Sequence, residues 1–248
     1  MRSDAMKTSE LSIRSFVLLL LWTLLLPAAS MAEDLTVHYK ITDGKGRNPI
    51  ESVQIVTADK VRTSDGHTDT IFDITTGKMI LIDHKKEEYY ETSVEEMQRK
   101  FAEIDEMVES NPMVKRMMMG KSGEVTVEEG EDSKDIVGYY CQHYIVTMGK
   151  SMRFDIWATT DLEAPTPYWD ARKLNYASMG PVGKRLTRMI EAMEQVEGFP
   201  LATITKASVM GFKSNSNSEA VEVILGPADP SAFEIPEGYR VGKSPFAE

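Results

Sequence analysis

Cysteine is almost absent from the sequence, with Cys141 the single one in 248 residues. One thiol forms no internal disulfide and no Cys-x-x-Cys pair, which excludes a disulfide-stapled scaffold and thioredoxin-type exchange. Histidine is scarce too. His38, His67, His84 and His143 fall at no zinc-binding spacing, and none has a second histidine at helical offset. Cys141 and His143 would share one face of a strand, but two ligands do not close a metal site. The expectation there is a buried thiol beside a surface imidazole, with no metal and no cofactor. No Gly-x-Ser-x-Gly elbow occurs, so a serine hydrolase of that kind has no support.

Long apolar runs are missing everywhere except near the start. Arg2, Lys7 and Arg14 precede an uncharged stretch from Phe16 to Leu26, which Pro27 ends, and Ala28-Ala29-Ser30-Met31-Ala32 follows. Basic start, short apolar middle and small residues at the cut are the order of a secretory signal peptide. The run is shorter than the roughly 20 apolar residues a spanning helix needs. The expectation is therefore a signal peptide over 1–32, cleavage before Glu33, no stable transmembrane anchor, and a periplasmic or secreted protein. Residues 33–248 would then form a single domain.

Positive charge is in deficit. The leader holds three basic and two acidic residues, so of 28 Lys+Arg and 39 Asp+Glu the remainder keeps 25 and 37, a formal charge of −12. That balance argues against a nucleic-acid partner and against an anionic membrane surface, since both repel it. The densest acidic run, Glu128-Glu129-Gly130-Glu131-Asp132, lacks EF-hand spacing and is expected to be a solvated turn between strands.

What the sequence does have is alternation. Leu35, Val37, Tyr39 and Ile41 fall at every second position, and further extended pieces are predicted at 52–57, 60–64, 68–74, 78–82 and 88–92. Turns separate them, and no helix is long enough for a parallel crossover, which describes an antiparallel meander. At Ser93 the period changes. Ser93 and Glu96 stand at capping-box spacing, and Met97, Phe101, Ile104 and Val108 recur as one helical face, extended by Val114 and Met117 beyond a break at Asn111-Pro112. Strands resume at 124–129, 139–148 and 151–159. A short helix from Pro167 to about Ala177 comes next, then a second amphipathic helix carrying Val182, Leu186, Met189, Met193 and Val196. Strands at 201–210 and 220–225 finish the chain, joined by a polar loop at 214–218.

Methionine is the other abundance. Thirteen of the 16 lie beyond the leader, with Met117-Met118-Met119 consecutive. Methionine adapts to irregular apolar surfaces and suits carriers of mixed hydrophobic ligands, although a stripe at helical spacing is also ordinary core filler.

Certain residues, in order, carry a resemblance. They are Gly77-Lys78-Met79-Ile80, Asp83-His84-Lys85-Lys86, Tyr89-Tyr90-Glu91, Gly138-Tyr139-Tyr140-Cys141, Asp155-Ile156-Trp157, Gly198-Phe199-Pro200-Leu201 and Phe233-Glu234-Ile235-Pro236-Glu237-Gly238-Tyr239. Together they resemble a family of exported bacterial proteins defined only as a domain of unknown function. That family is similar in architecture to the periplasmic lipoprotein carriers, the lipoprotein localisation factors, which fold as a curved antiparallel half-barrel with helices closing a hydrophobic cavity. The resemblance implies export, that fold and an apolar cavity, and it carries over no catalytic residue.

The expected fold is thus α+β, a strongly curved antiparallel sheet (an incomplete barrel) with helices over its concave face. The expected function is non-catalytic binding of an apolar or lipid-like ligand, lined by Met97, Phe101 and Ile104 on one helix and Leu186, Met189 and Met193 on the other. The alternative is a cell-envelope structural or interaction protein with a filled core, an envelope protein as its partner and no small ligand.

Overall fold

The computed structural model describes residues 33–114, 124–163, 167–177, 180–209 and 212–243, apart from the side chains of 103–105, 167, 174–186, 209 and 212. The expected leader and its cut, and Met117 to Met119, lie outside the described residues. Ala32–Glu248 form one compact unit.

The alternating stretches become a six-strand meander: β1 (Leu35–Asp43), β2 (Ile50–Val56), β3 (Lys60–Ser64), β4 (Thr68–Asp73), β5 (Lys78–Asp83) and β6 (Glu88–Ser93). Helix α1 (Val94–Ser110) starts where the period changes. Ser93, in extended backbone, caps it by accepting from the Glu96 amide at 3.2 Å. The reciprocal half of the expected capping box is replaced. The Glu96 carboxylate instead accepts from Thr92 Oγ1 at 3.2 Å and pairs with Lys100 one turn on. Asn111 then leaves helical geometry just before Pro112.

A second meander follows: β7 (Val125–Ile136), β8 (Tyr139–Met148) and β9 (Met152–Thr159), then α2 (Pro167–Ala177) and α3 (Gly180–Met193), then β10 (Phe199–Val209) and β11 (Phe212–Leu225). Gly198, at φ +91°, makes the turn from α3 into β10. A Cβ there would stand 2.0 Å from the Thr159 carbonyl oxygen. Pairing of β11 with β1 joins the two meanders and a short last strand, β12 (Arg240–Val241), into one twelve-stranded sheet, in the order β12-β6-β5-β4-β3-β2-β1-β11-β10-β9-β8-β7. All pairs are antiparallel except β12 (Arg240–Val241), which lies parallel to β6. The sheet does not close, and β7 and β12 are its edges.

Two sequence expectations are corrected here. Residues 214–218 are not a loop but part of β11, paired on both sides, with Ser218 opposite both Thr203 and Ile41. Residues 128–132 are not a turn between strands. They lie inside β7 at a bulge between Glu129 and Ser133, and their carboxylates are solvated as expected. A polar strand shows no apolar alternation, and a bulge breaks the period of two on which strand recognition rests.

Bulges also curve the sheet. One falls in the β1–β11 pair at His38/Tyr39, another in β9–β10 at Pro200/Ala202, and they sit on neighbouring strands. Such irregularities bend the strand that carries them and increase its twist. The three helices lie over the concave face. Met189, Ile190, Met193 and Val196 of α3 and the turn after it pack on Val146, Met148 and Ile156 of β8 and β9. Tyr168 and Ala171 of α2 pack toward Val61, Phe72 and Met79 of the first meander.

The opposite face is covered twice. Beyond its bulge, the β7–β8 hairpin curls over β9–β11 and buries Ile136, Cys141 and Ala202. In a flat sheet β7 and β11, four steps of about 4.8 Å apart, would be separated by roughly 19 Å. Here Lys134 of β7 forms an ion pair with Glu219 of β11. The other cover is the C-terminal segment 226–243. It leaves β11, accepts anchorage from Asp34 through the Gly226 and Ala228 amides, passes β3, and ends paired to β6. Its path explains why Ile55, Ile71 and Ile82, which point away from the helices, are nonetheless buried.

Candidate functional site

Between the concave sheet and helices α2 and α3 lies a groove of about 410 Å³. Its lining follows from strand alternation. Met152, Phe154 and Ile156 of β9 point inward at every second residue and make an apolar wall. Facing them, Ser52 and Gln54 of β2, Thr203 and Thr205 of β10 and Ser218 of β11 make a hydroxyl- and amide-bearing wall. Trp169 and Arg172 of α2, with Met193 of α3, roof it. A neighbouring recess of about 280 Å³ continues along the same face toward Phe72 and Met79, sharing Gln54, Thr63 and Arg172 with the first.

The roof is fixed by an aromatic and hydrogen-bonded hinge. Tyr168 is 1% exposed, packs on Phe199 at 5.1 Å between ring centroids, and accepts from Arg172 Nη1 at 2.8 Å. Tyr39, on β1 opposite the bulge in β11, donates its hydroxyl to the Pro200 carbonyl at 3.0 Å. Burial pushes the Tyr39 phenol well above its ordinary range, nearby Tyr168 adds to the shift, and Arg172 offsets part of it. The phenol therefore stays a neutral donor and ties β1 to β10 beneath α2.

Of the six residues expected to line a cavity, Met193 does line the groove. Met97 and Met189 are core, 3% and 1% exposed, and Phe101 is half-buried on α1. Side chains of Ile104 and Leu186 lie outside the described residues. Among the described residues the groove is walled by α2, α3 and the sheet, with no contribution from α1. Periodicity locates the apolar face of a helix but not which part of that face is left unfilled. The polar wall was invisible for a related reason, since serine, threonine and glutamine at alternate positions look like loop.

Cys141 and His143 do share a face, but not as a site. Cys141 is fully buried, its thiol leans on the Tyr139 carbonyl at 3.5 Å, and burial pushes it up to about 11. His143 is not a surface imidazole, because it is 7% exposed and stacked on Trp157 at 4.5 Å. The β7 bulge covers it: a Cβ on Gly130 would stand 2.3 Å from its Nδ1. Its Nε2 lies 3.3 Å from Asp155 Oδ1, close enough for electrostatic attraction but out of line for a hydrogen bond. Burial works against the charge on Asp155, but Arg153, Lys206 and His143 outweigh it and hold the carboxyl below its ordinary range. Among the described residues no three His, Cys, Asp or Glu converge at metal-ligand geometry.

A second polar cluster ties down the C-terminal segment. Asp69, 2% exposed, takes the Arg62 guanidinium at 2.6 Å and lies 3.1 Å from His84 Nε2, while His84 Nδ1 meets Tyr239 Oη at 2.9 Å. Burial opposes ionisation of Asp69, but Ser64, Arg62 and His84 prevail and keep its carboxyl below the usual range. The residues Asp83–Lys86 and Phe233–Tyr239 of the resemblance thus meet at a structural clasp, away from the groove.

Among the described residues no helix is long and apolar enough to cross a membrane. No curated protein matches the chain in sequence. Solved structures are similar to it at low identity. A conserved protein from Thermus thermophilus is similar over 86% of this chain and 91% of its own, at 6% identity and a TM-score of 0.46. A Vibrio parahaemolyticus domain, provisionally described as an outer membrane lipoprotein-sorting protein, is similar over 82% and 90%, at 6% identity and a TM-score of 0.28. PNGF-II is similar over 86% of this chain at 14% identity and a TM-score of 0.41, and the chain spans only 31% of it. The model of one family matches residues 52–239, well over half of the sequence and nearly the whole sheet, and the chain belongs to that family, DUF4412, a domain of unknown function.

Proposed function

We propose that this is a non-catalytic binding protein, acting after export, that holds an apolar or lipid-like ligand in the groove between the curved sheet and helices α2 and α3. The observation that carries the reading is the groove itself. Its volume is in the range of small-ligand sites, and it pairs an apolar wall with a few convergent polar groups. A filled core would leave no space of that size beside Met152 and Phe154, because interiors pack without such gaps. The hydroxyl wall opposite suits a ligand with a polar part near its hydrocarbon, or ordered water beside a purely apolar one.

Purified protein, extracted with organic solvent and examined by mass spectrometry, should release a lipid-like molecule. Delipidated protein should take up a fluorescent fatty-acid probe and quench Trp169. Met193→Gln should weaken uptake severalfold per folded molecule, with circular dichroism reporting the folded fraction. No extracted lipid together with no probe uptake would sink the carrier reading and favour an envelope interaction protein.

A further inference from the structure

We propose that Arg172 of α2 makes the groove selective for a long-chain carboxylate, with the carboxylate held at the guanidinium and the hydrocarbon laid along Met152, Phe154 and Ile156. This rests on the groove reading above and names the ligand class for it. Arg172 lines both the groove and the neighbouring recess, and it is the only charged side chain among the described residues that line either. Gln54 and Thr63 line both as well. They are partners across β2 and β3, so an amide and a hydroxyl stand side by side on the sheet where the two hollows meet.

The cation is held in place before any ligand arrives. Arg172 is half-buried, its Nη1 donates to Tyr168 Oη at 2.8 Å, and its guanidinium lies over the Tyr168 ring at 5.4 Å. A planar fork fixed in this way loses less freedom on binding, and its attraction for an anion grows as water is excluded. A guanidinium matches a carboxylate through two parallel N–H···O bonds. One cation with two neutral donors suits a head of one charge, whereas a phosphate monoester brings nearly two. The hydrocarbon has a path away from this point. In the sheet order β2-β1-β11-β10-β9 the apolar wall on β9 is four steps from β2, roughly 19 Å at about 4.8 Å per step before curvature shortens it. Trp169, Met193 and Val196 cover that path with apolar surface. Such a span fits a long acyl chain and not a small organic acid.

The test loads delipidated protein with 1-N-phenylnaphthylamine, a neutral apolar fluorophore, and measures its displacement by dodecanoate, dodecanol and dodecyl phosphate. Dodecanoate should bind about tenfold more tightly than dodecanol, in the range for hydrogen bonds to a charged group, and more tightly than dodecyl phosphate. Arg172→Met keeps an apolar stem and should bring the dodecanoate-to-dodecanol ratio close to one. Because Arg172 also holds Tyr168, a second variant is needed. Gln54→Leu removes a neighbouring donor without touching Tyr168 and should lower the ratio about threefold. A loosened roof lowers both affinities together and leaves their ratio intact, so the ratio separates recognition of the carboxylate from support of the fold. A wild-type ratio near one, or a ratio unchanged in both variants, overturns the carboxylate site and leaves the groove reading standing. Tighter binding of dodecyl phosphate than of dodecanoate overturns the carboxylate class in favour of a phosphate ester. No uptake of the fluorophore and no binding of any of the three amphiphiles overturns both readings.

Discussion

Cys141 shows how far one residue's environment sets its chemistry. Its thiol is fully buried, and burial raises it far above a reactive range, because no nearby cation stabilises the thiolate enough to compensate. Cys141→Ser should therefore cost about 1–3 kcal/mol, the desolvation of a hydroxyl without a good partner. Denaturant unfolding would measure this, and a thiol reagent should react with the wild type only as it unfolds. Asp69 makes the opposite case. Its carboxyl is held below the ordinary value, so the charged form is favoured in the folded state. The stability it contributes is complete above the unfolded value of about 3.9 and is lost as pH falls through the folded one. Asp69→Asn should cost roughly 1.5–3 kcal/mol at neutral pH, the range for hydrogen bonds to a charged group. It should also flatten the acid limb of the stability curve below about pH 4. A wild-type limb that persisted in the variant would assign that pH dependence to the other depressed carboxyls, such as Asp73 and Asp155.

At the scale of elements, legibility followed burial on one face. Strands β1 to β6 and β8 to β10 were readable because apolar residues recur along short stretches bounded by turn-forming residues. The α1 start at Ser93 was readable because the cap is local. The polar half of β11 was not. Ser216 and Ser218 face the groove side rather than a packed core, so the apolar beat that marks a strand is missing. The bulge in β7 hid half of that strand in the same way. The C-terminal segment was the largest omission, since residues 226–243 have almost no regular structure and gain their role from what they cover. Its clasp at Tyr239 joins residues 155 positions apart. A chain ending at Gly226 should expose Ile55, Ile71 and Ile82, bind a hydrophobic dye, and lose amide protection first in β5 and β6. Unchanged dye binding and exchange would show that those isoleucines are shielded without the segment.

For the whole molecule, the two methionines of α3 separate packing from binding. Met189 is 1% exposed against the second meander, so Met189→Ala should cost about 2–5 kcal/mol, as truncation of a packed core residue does. Binding per folded molecule should survive. Met193, 5% exposed in the same cluster, also lines the groove, so Met193→Gln should lower uptake per folded molecule as well as stability. Calorimetry and probe titration on both variants give the comparison, and equal uptake per folded molecule in the two would remove Met193 from the binding wall. Several properties were decided along the chain: the acidic balance, the antiparallel α+β class, and the family. All of these depend on composition, local period or ordered motifs. The groove, its polar wall and the clasp on Asp69 were decided only in three dimensions. Ser52 and Gln54, Thr203 and Ser218 come from three strands that lie close together only because β11 pairs with β1. Strand registry brings such residues together, and no pattern along a single strand encodes which hairpin will lie beside it.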